Sequence, residues 1–236
     1  VASKQSEKNE DIQATEAAEE TSSSTGKTIT IGTPYTIDTF LPWDFTSDGD
    51  RYVISNVYEC LFEYDANTCI PVLAESYTNP DDCTWDVKIR ENAYWHTGNK
   101  LFGDEKVQIK AEDVKWVMDW TMDPANGSKQ QTNLSSVVSS VEVLDDFTLR
   151  FTTPEPKALF LFTLSRVMIF PKKAIDEGFD LNAWPVGSGA FKYVSYQTDD
   201  QVVLEKNSDY YITPNVDEVI FKIIPDKSVS AIALQN

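Results

Sequence analysis

The sequence predicts a protein of the α/β class. Strand-like stretches recur at 28–31, 84–90, 141–151, 191–205 and 218–224, with apolar and polar residues alternating at period two most clearly over 84–90. Between them apolar residues fall at helical spacing in two places. One set is Val53, Ile54, Val57, Tyr58 and Leu61; the other is Val114, Val117 and Met118, running on to Thr121. With 236 residues, 41% of them hydrophobic, the chain can bury one large core or two small ones.

Taken in order, residues 1–26 carry a single large aliphatic residue, Ile12, and no aromatic. Such a segment cannot bury enough surface to offset its ordering entropy, so a disordered tether is expected over 1–27. The first strand is expected at 28–31, followed by a Pro-punctuated loop, 33–43, crowded with aromatics. Asp50 is the expected N-cap of the first helix. Residues 84–90 read as a strand, with Trp85 in the core.

The second helix is expected to start at Ala111, with Glu112 and Asp113 in its first turn, where the macrodipole favours acids, and to stop before Pro124. A hairpin turning on Asp145 and Asp146 is expected over 141–151, and a second strand pair around 198–200. Residues 218–224 form the most buried-looking strand. Asp226 is expected to cap a further helix over 227–234, and the chain ends at Asn236 without a C-cap, as a piece of a longer protein would.

The composition excludes several functions. A formal net charge of −18 repels phosphate backbones, so nucleic acid is not an expected partner. One histidine, His96, nearly removes zinc enzymes and leaves only one imidazole for any nucleophilic triad; it is expected to be structural, hydrogen-bonded in a turn. Glu112 and Asp113 point about 100° apart on a helix and cannot flank one bond. Trp116 and Trp120, four apart, read as packing. Cys60, Cys69 and Cys83 lack C-x-x-C spacing and are expected as small buried hydrophobes, one disulfide such as Cys69–Cys83 remaining open. No catalytic, metal or cofactor site is expected.

Seven segments in order carry a resemblance: 56–65 (NVYECLFEYD), 71–77 (PVLAESY), 84–98 (TWDVKIRENAYWHTG), 111–114 (AEDV), 187–191 (GSGAF), 204–211 (LEKNSDYY) and 216–226 (VDEVIFKIIPD). Together they resemble the family 5 extracellular solute-binding proteins, which bind oligopeptides, dipeptides, nickel complexes and some sugars. The resemblance implies a periplasmic-binding-protein type II-like lobe I, a mixed sheet with flanking helices and an inserted α/β subdomain. It places the sheet subdomain at 28–49 plus 161–236 and the insertion at 50–160, with the second lobe absent.

The same resemblance implies the solute-capture component of an ABC importer, not an enzyme. It would be a monomer that closes two lobes on a peptide or similar small polar solute and docks on a membrane permease. Localisation would be extracellular or periplasmic, as a surface lipoprotein whose only membrane contact is an N-terminal lipid anchor.

For the ligand, the residues point to two loops. Thr33, Pro34, Tyr35, Phe40, Trp43 and Asp44 cluster aromatic faces after the first strand, where loops hung on a sheet do the binding. Gly187, Ser188 and Gly189 suggest backbone that needs positive φ or close approach. In the family the backbone after the first strand pairs with extended ligands; Pro34, lacking an N–H, removes one donor from such a ladder. The alternatives are a Trp-rich carbohydrate-active enzyme or carbohydrate-binding module, and an adhesion domain without a small-molecule site. The first strand at a sheet centre, with the Tyr35 loop at its edge, would separate the solute-binding reading from both.

Overall fold

The computed structural model describes residues 26–65 and 68–226. The tether and the helix expected over 227–234 lie outside the described residues, apart from 26 and 27. In chain order the elements are β1 (Thr28–Thr33), α1 (Asp48–Val57), β2 (Glu59–Cys60), β3 (Phe62–Asp65), β4 (Thr68–Pro71), β5 (Ala74–Asp81) and β6 (Thr84–Ile89). There follow α2 (Ala111–Met122), α3 (Gln131–Val137), β7 (Ser140–Asp145), β8 (Thr148–Thr152), α4 (Phe160–Leu164) and β9 (Met168–Ile169). The chain continues through α5 (Lys172–Asp176), β10 (Phe191–Gln197), β11 (Gln201–Lys206) and β12 (Glu218–Ile223).

Two four-stranded sheets dominate. One has the order β1-β12-β11-β10, with β1 parallel to β12 and the other neighbours antiparallel. The other, β5-β6-β8-β7, is wholly antiparallel. The strand-like segments therefore became strands, and both expected hairpins formed. At the first, Asp145 turns the chain by accepting the Phe147 N–H at 2.9 Å; at the second, Asp199 adopts a φ of 57°, a conformation Asp tolerates better than most residues.

One expectation about strand placement fails. β1 is an edge strand among the described residues, not a central one, and Ile29 and Ile31 stay 45% and 42% exposed. The reason is long-range: β12 supplies its one neighbour here. β12 is flanked on both sides and buries Val219, Phe221 and Ile223, more residues than any other described strand, as expected of the most buried strand.

The helices show why these residues fold as they do. In α1 the N-cap is Ser47, whose hydroxyl accepts the Asp50 N–H at 3.1 Å, so Asp50 is not the cap. Val53, Ile54 and Val57 form its buried stripe, each contributing roughly 1.5–3 kcal/mol, and the helix packs against β10. α2 starts where expected: the Asp113 carboxylate accepts the Lys110 N–H at 2.9 Å. Trp116 and Trp120 on this helix pack on Phe170, with ring centroids at 5.7 and 5.3 Å.

The core runs continuously through Tyr58, Leu61, Phe62, Leu73, Ile89, Phe151 and Phe160. Trp85 lies at its margin, half-buried and stacked on Phe160 at 4.7 Å. Cys60, Cys69 and Cys83 are free thiols and only half-buried, because each sits on or beside a strand with one open face. Burial pushes the Cys60 thiol up to about 12.

Candidate functional site

The loop after β1 is pinned in place by side chains from far along the chain. The buried Asp50 carboxylate accepts the N–H groups of Asp38 and Thr39 at 2.7 and 3.2 Å. Asn182 accepts the Phe40 N–H at 2.8 Å, and the Tyr196 hydroxyl donates to Ile37 O at 3.1 Å. Asp50 is therefore spent on the loop, which explains why capping falls to Ser47.

The loop's residues divide by environment. Thr33 and Phe40 are buried, Phe40 edge-on to Tyr193 and Tyr196 at 5.4 and 5.2 Å. Trp43 lies 4.9 Å from both Trp120 and Phe170, inside the packing cluster of α2. Asp44 pairs with Lys129 at 3.4 Å. Tyr35 alone of the loop's aromatics stays exposed, at 44%, beside Tyr52 of α1 at 6.1 Å.

Two adjoining hollows flank the outward face of α1. One, of about 630 Å³, lies between the end of β1 and the helix and takes in Thr33, Pro34, Tyr35 and Phe221. The other, of about 590 Å³, continues past the helix to Arg51, Glu59, Arg166 and Gly189. Tyr52, Ser55 and Asn56 line both, so the two hollows adjoin across α1 and make up one grooved face. These α1 residues escaped the sequence reading, which took the helix only for its buried stripe. The available signal was Tyr52, a large aromatic on the polar side of an amphipathic helix.

The 187–190 loop forms part of the groove wall, and of the two reasons expected for its glycines, positive φ or close approach, the structure shows the second. Neither has positive φ, and Gly187, Ser188 and Gly189 are all buried. A Cβ at Gly187 would sit 2.1 Å from Val57 O, and one at Gly189 2.3 Å from Asn56 O. They are glycines because the loop lies directly on the last turn of α1, and Gly189 N–H donates to Val57 O at 2.8 Å. Its carbonyl is taken by Asn207 and His96, both at 2.9 Å, leaving no open backbone ladder there. Gly189 and Ala190 nevertheless line the groove.

Glu59 is the unusual group in the wall. It is buried, with its Oε1 met by the hydroxyls of Tyr210, at 3.1 Å, and Tyr211. Its Oε2 and the Ser188 hydroxyl are buried without a hydrogen-bond partner among the described residues. Burial raises the Glu59 carboxyl to about 7, against the opposing pull of the Tyr211, Ser188 and Tyr210 hydroxyls around it and of the Arg90 charge. Among the described residues no group of three or more His, Cys, Asp or Glu side chains is placed to hold a metal.

The fold and the motif order already noted are matched in known proteins. The profile of the bacterial extracellular solute-binding proteins, family 5 Middle, matches residues 68–236. This chain belongs to that family. Glutathione-binding protein GsiB of Pectobacterium atrosepticum and that of Escherichia coli K12 are each 28% identical to it over 215 residues, covering 88% of the chain and 40% of their own length.

Among solved structures, the ABC transporter-associated periplasmic binding protein DppA of Helicobacter pylori in complex with peptide STSA superposes with a TM-score of 0.79 at 26% identity, covering 89% of this chain and 45% of that one. NikZ of Campylobacter jejuni in complex with Ni(L-His) gives 0.76 at 27%, covering 89% and 41%. The family 5 chain thus spans about two fifths of its relatives' length, and its fold is the type II periplasmic-binding-protein lobe expected from the motifs.

Proposed function

We propose that this family 5 chain supplies lobe I of the solute-capture component of an ABC importer, and that the groove along α1 is its half of the binding cleft. The observation that carries this reading is the joining of the two hollows by Tyr52, Ser55 and Asn56, beside the exposed Tyr35. The solute is a peptide or similar small polar molecule; the ligands named for DppA, NikZ and GsiB belong to that range. Thr33, Pro34 and Tyr35 contact it directly, Gly189 from the groove wall, and Phe40, Trp43, Asp44, Gly187 and Ser188 hold those contacts in place.

A second lobe, contributed by the remainder of a longer chain, closes over the groove by hinge motion, and the closed form docks on a membrane permease. The protein works as a monomer outside the cytoplasmic membrane, held by an N-terminal lipid anchor through the 1–27 tether, without a cofactor and without catalysis. Residues 28–49 with 161–236 form its sheet subdomain, and 50–160 the insertion.

The test is to purify the full-length protein under native conditions, release any bound solute by denaturation and identify it by mass spectrometry, then titrate that solute back by calorimetry. A stoichiometric peptide or small polar solute is expected. Selective retention of oligosaccharides, or their turnover, would overturn the reading in favour of a carbohydrate-active protein.

A further inference from the structure

The chain has four arginines. Arg150 is held bidentately by Asp86, with both nitrogen–oxygen distances 2.7 Å. Arg90 donates to Val72 O at 2.6 Å and lies over the Tyr211 ring at 4.4 Å. The other two, Arg51 from α1 and Arg166 from the turn before β9, line the same hollow of about 590 Å³. Neither guanidinium has a hydrogen bond or ion pair among the described residues.

That arrangement is costly for a chain with 38 acidic and 20 basic residues. Both arginines are half-buried, so each gives up water without gaining a partner among the described residues. Burial, and then the charge of Arg51, hold the Arg166 guanidinium below its ordinary range. The charge of Asp48 relieves this only in part, at a distance and without an ion pair. Asp48 and Glu63 are exposed at its rim, and Glu59 is turned to Tyr210 and Tyr211. Two guanidinium groups from separate elements line one hollow, and each offers the planar N–H fork that binds carboxylate or phosphate.

We infer that Arg51 and Arg166 form a clamp for an oxyanion of the captured solute, a carboxylate or a phosphate, so that the groove selects anionic solutes. The inference rests on the solute-binding reading and narrows its substrate class. The acidic rim discriminates further: it repels compact polyanions and favours a solute with an anionic end and a neutral or cationic remainder.

The test uses the full-length protein and three probe sets: tripeptides with free carboxylates, the same tripeptides with their carboxylates amidated, and inorganic phosphate. Affinities are measured by calorimetry at low and high salt for wild type, Arg51→Gln, Arg166→Gln and Arg51→Lys, with thermal melts to confirm folding. Free-carboxylate peptides are expected to bind at least roughly tenfold tighter than amidated ones, and either Gln variant to remove that preference. Arg51→Lys should keep the salt dependence but lose affinity, since a point charge replaces a fork. Binding by phosphate with no peptide preference would support the clamp and assign it to phosphorylated solutes. Equal binding of free and amidated peptides that is unaffected by both Gln variants would overturn the clamp while leaving solute capture standing. Absence of any peptide or phosphate binding by folded wild type would overturn both.

Discussion

His96 holds the Gly189 carbonyl: its Nε2 lies 2.9 Å from that oxygen, while its Nδ1 accepts the Gly187 N–H at 3.4 Å. Together these contacts fix the neutral tautomer with the proton on Nε2. The His96 main chain completes the clasp by donating to Gly187 O at 2.8 Å. The lone histidine thus fastens the loop that forms the groove wall. Burial pushes its imidazole down to about 4 from the ordinary 6.5.

A pH dependence of stability follows. A base whose folded pKa is depressed binds more protons when unfolded, so its contribution is intact above pH 6.5 and is lost as pH falls toward 4. The expected loss is about 3 kcal/mol, by linkage across that window. Urea melts from pH 7.5 to 4 on wild type and His96→Gln should show a shallower acid slope in the variant. Parallel slopes would show that His96 is not the titrating group.

Glu59 carries the opposite sign. Its carboxyl is raised to about 7 in the fold, so its stabilising protonated form persists below pH 4.5 and is lost as pH rises through 7. Glu59→Gln keeps the neutral shape and should gain roughly 1–3 kcal/mol relative to wild type between pH 5 and 8. Chemical denaturation at the two pH values measures this directly, and a constant difference between the proteins would contradict it.

The paired glycines should be intolerant for a reason unconnected with φ. Gly187→Ala or Gly189→Ala places a Cβ 2.1 or 2.3 Å from a backbone oxygen of α1, which must then shift. A cost of about 3 kcal/mol is expected for this overpacking. Gly127→Ala, at φ 68° with open space around it, should cost only about 1 kcal/mol. Equal costs at the three positions, read from unfolding midpoints, would sink the close-approach explanation.

Tyr35 and Trp43 should separate binding from folding. Trp43 is wedged against Trp120 and Phe170, so Trp43→Ala should destabilise by about 3 kcal/mol. Tyr35 is exposed on the groove, so Tyr35→Ala should change the melting temperature little and weaken solute binding by the full-length protein by about 1–2 kcal/mol. Normal solute affinity in Tyr35→Ala would remove this residue from the site.

Local physics made much of the fold legible. Strand-like stretches marked both hairpins, Asp145 marked its turn, and the acids after Ala111 marked the start of α2, because each depends on residues within a few positions of one another. Motif order, likewise written along the chain, carried the family. Long-range placement stayed out of reach. That Asp50 would serve the loop at Asp38 and Thr39 rather than cap α1, and that Trp43 would join the α2 cluster, depended on partners brought near only by packing. The same holds for the groove: Arg51 and Arg166 are 115 positions apart in the chain, and the close approach of Gly187 to Val57 exists only once α1 is seated on the loop. The sequence by itself determined β1, β6, the two hairpins, β12, the two longer helices (the first carried past its end at Val57 to Leu61) and the family, while the short elements β2–β5, β9 and α3–α5 escaped it. The tertiary structure decided which side chains were consumed in holding the fold and which remained free to meet a solute, because burial and charge pairing are properties of neighbours in space.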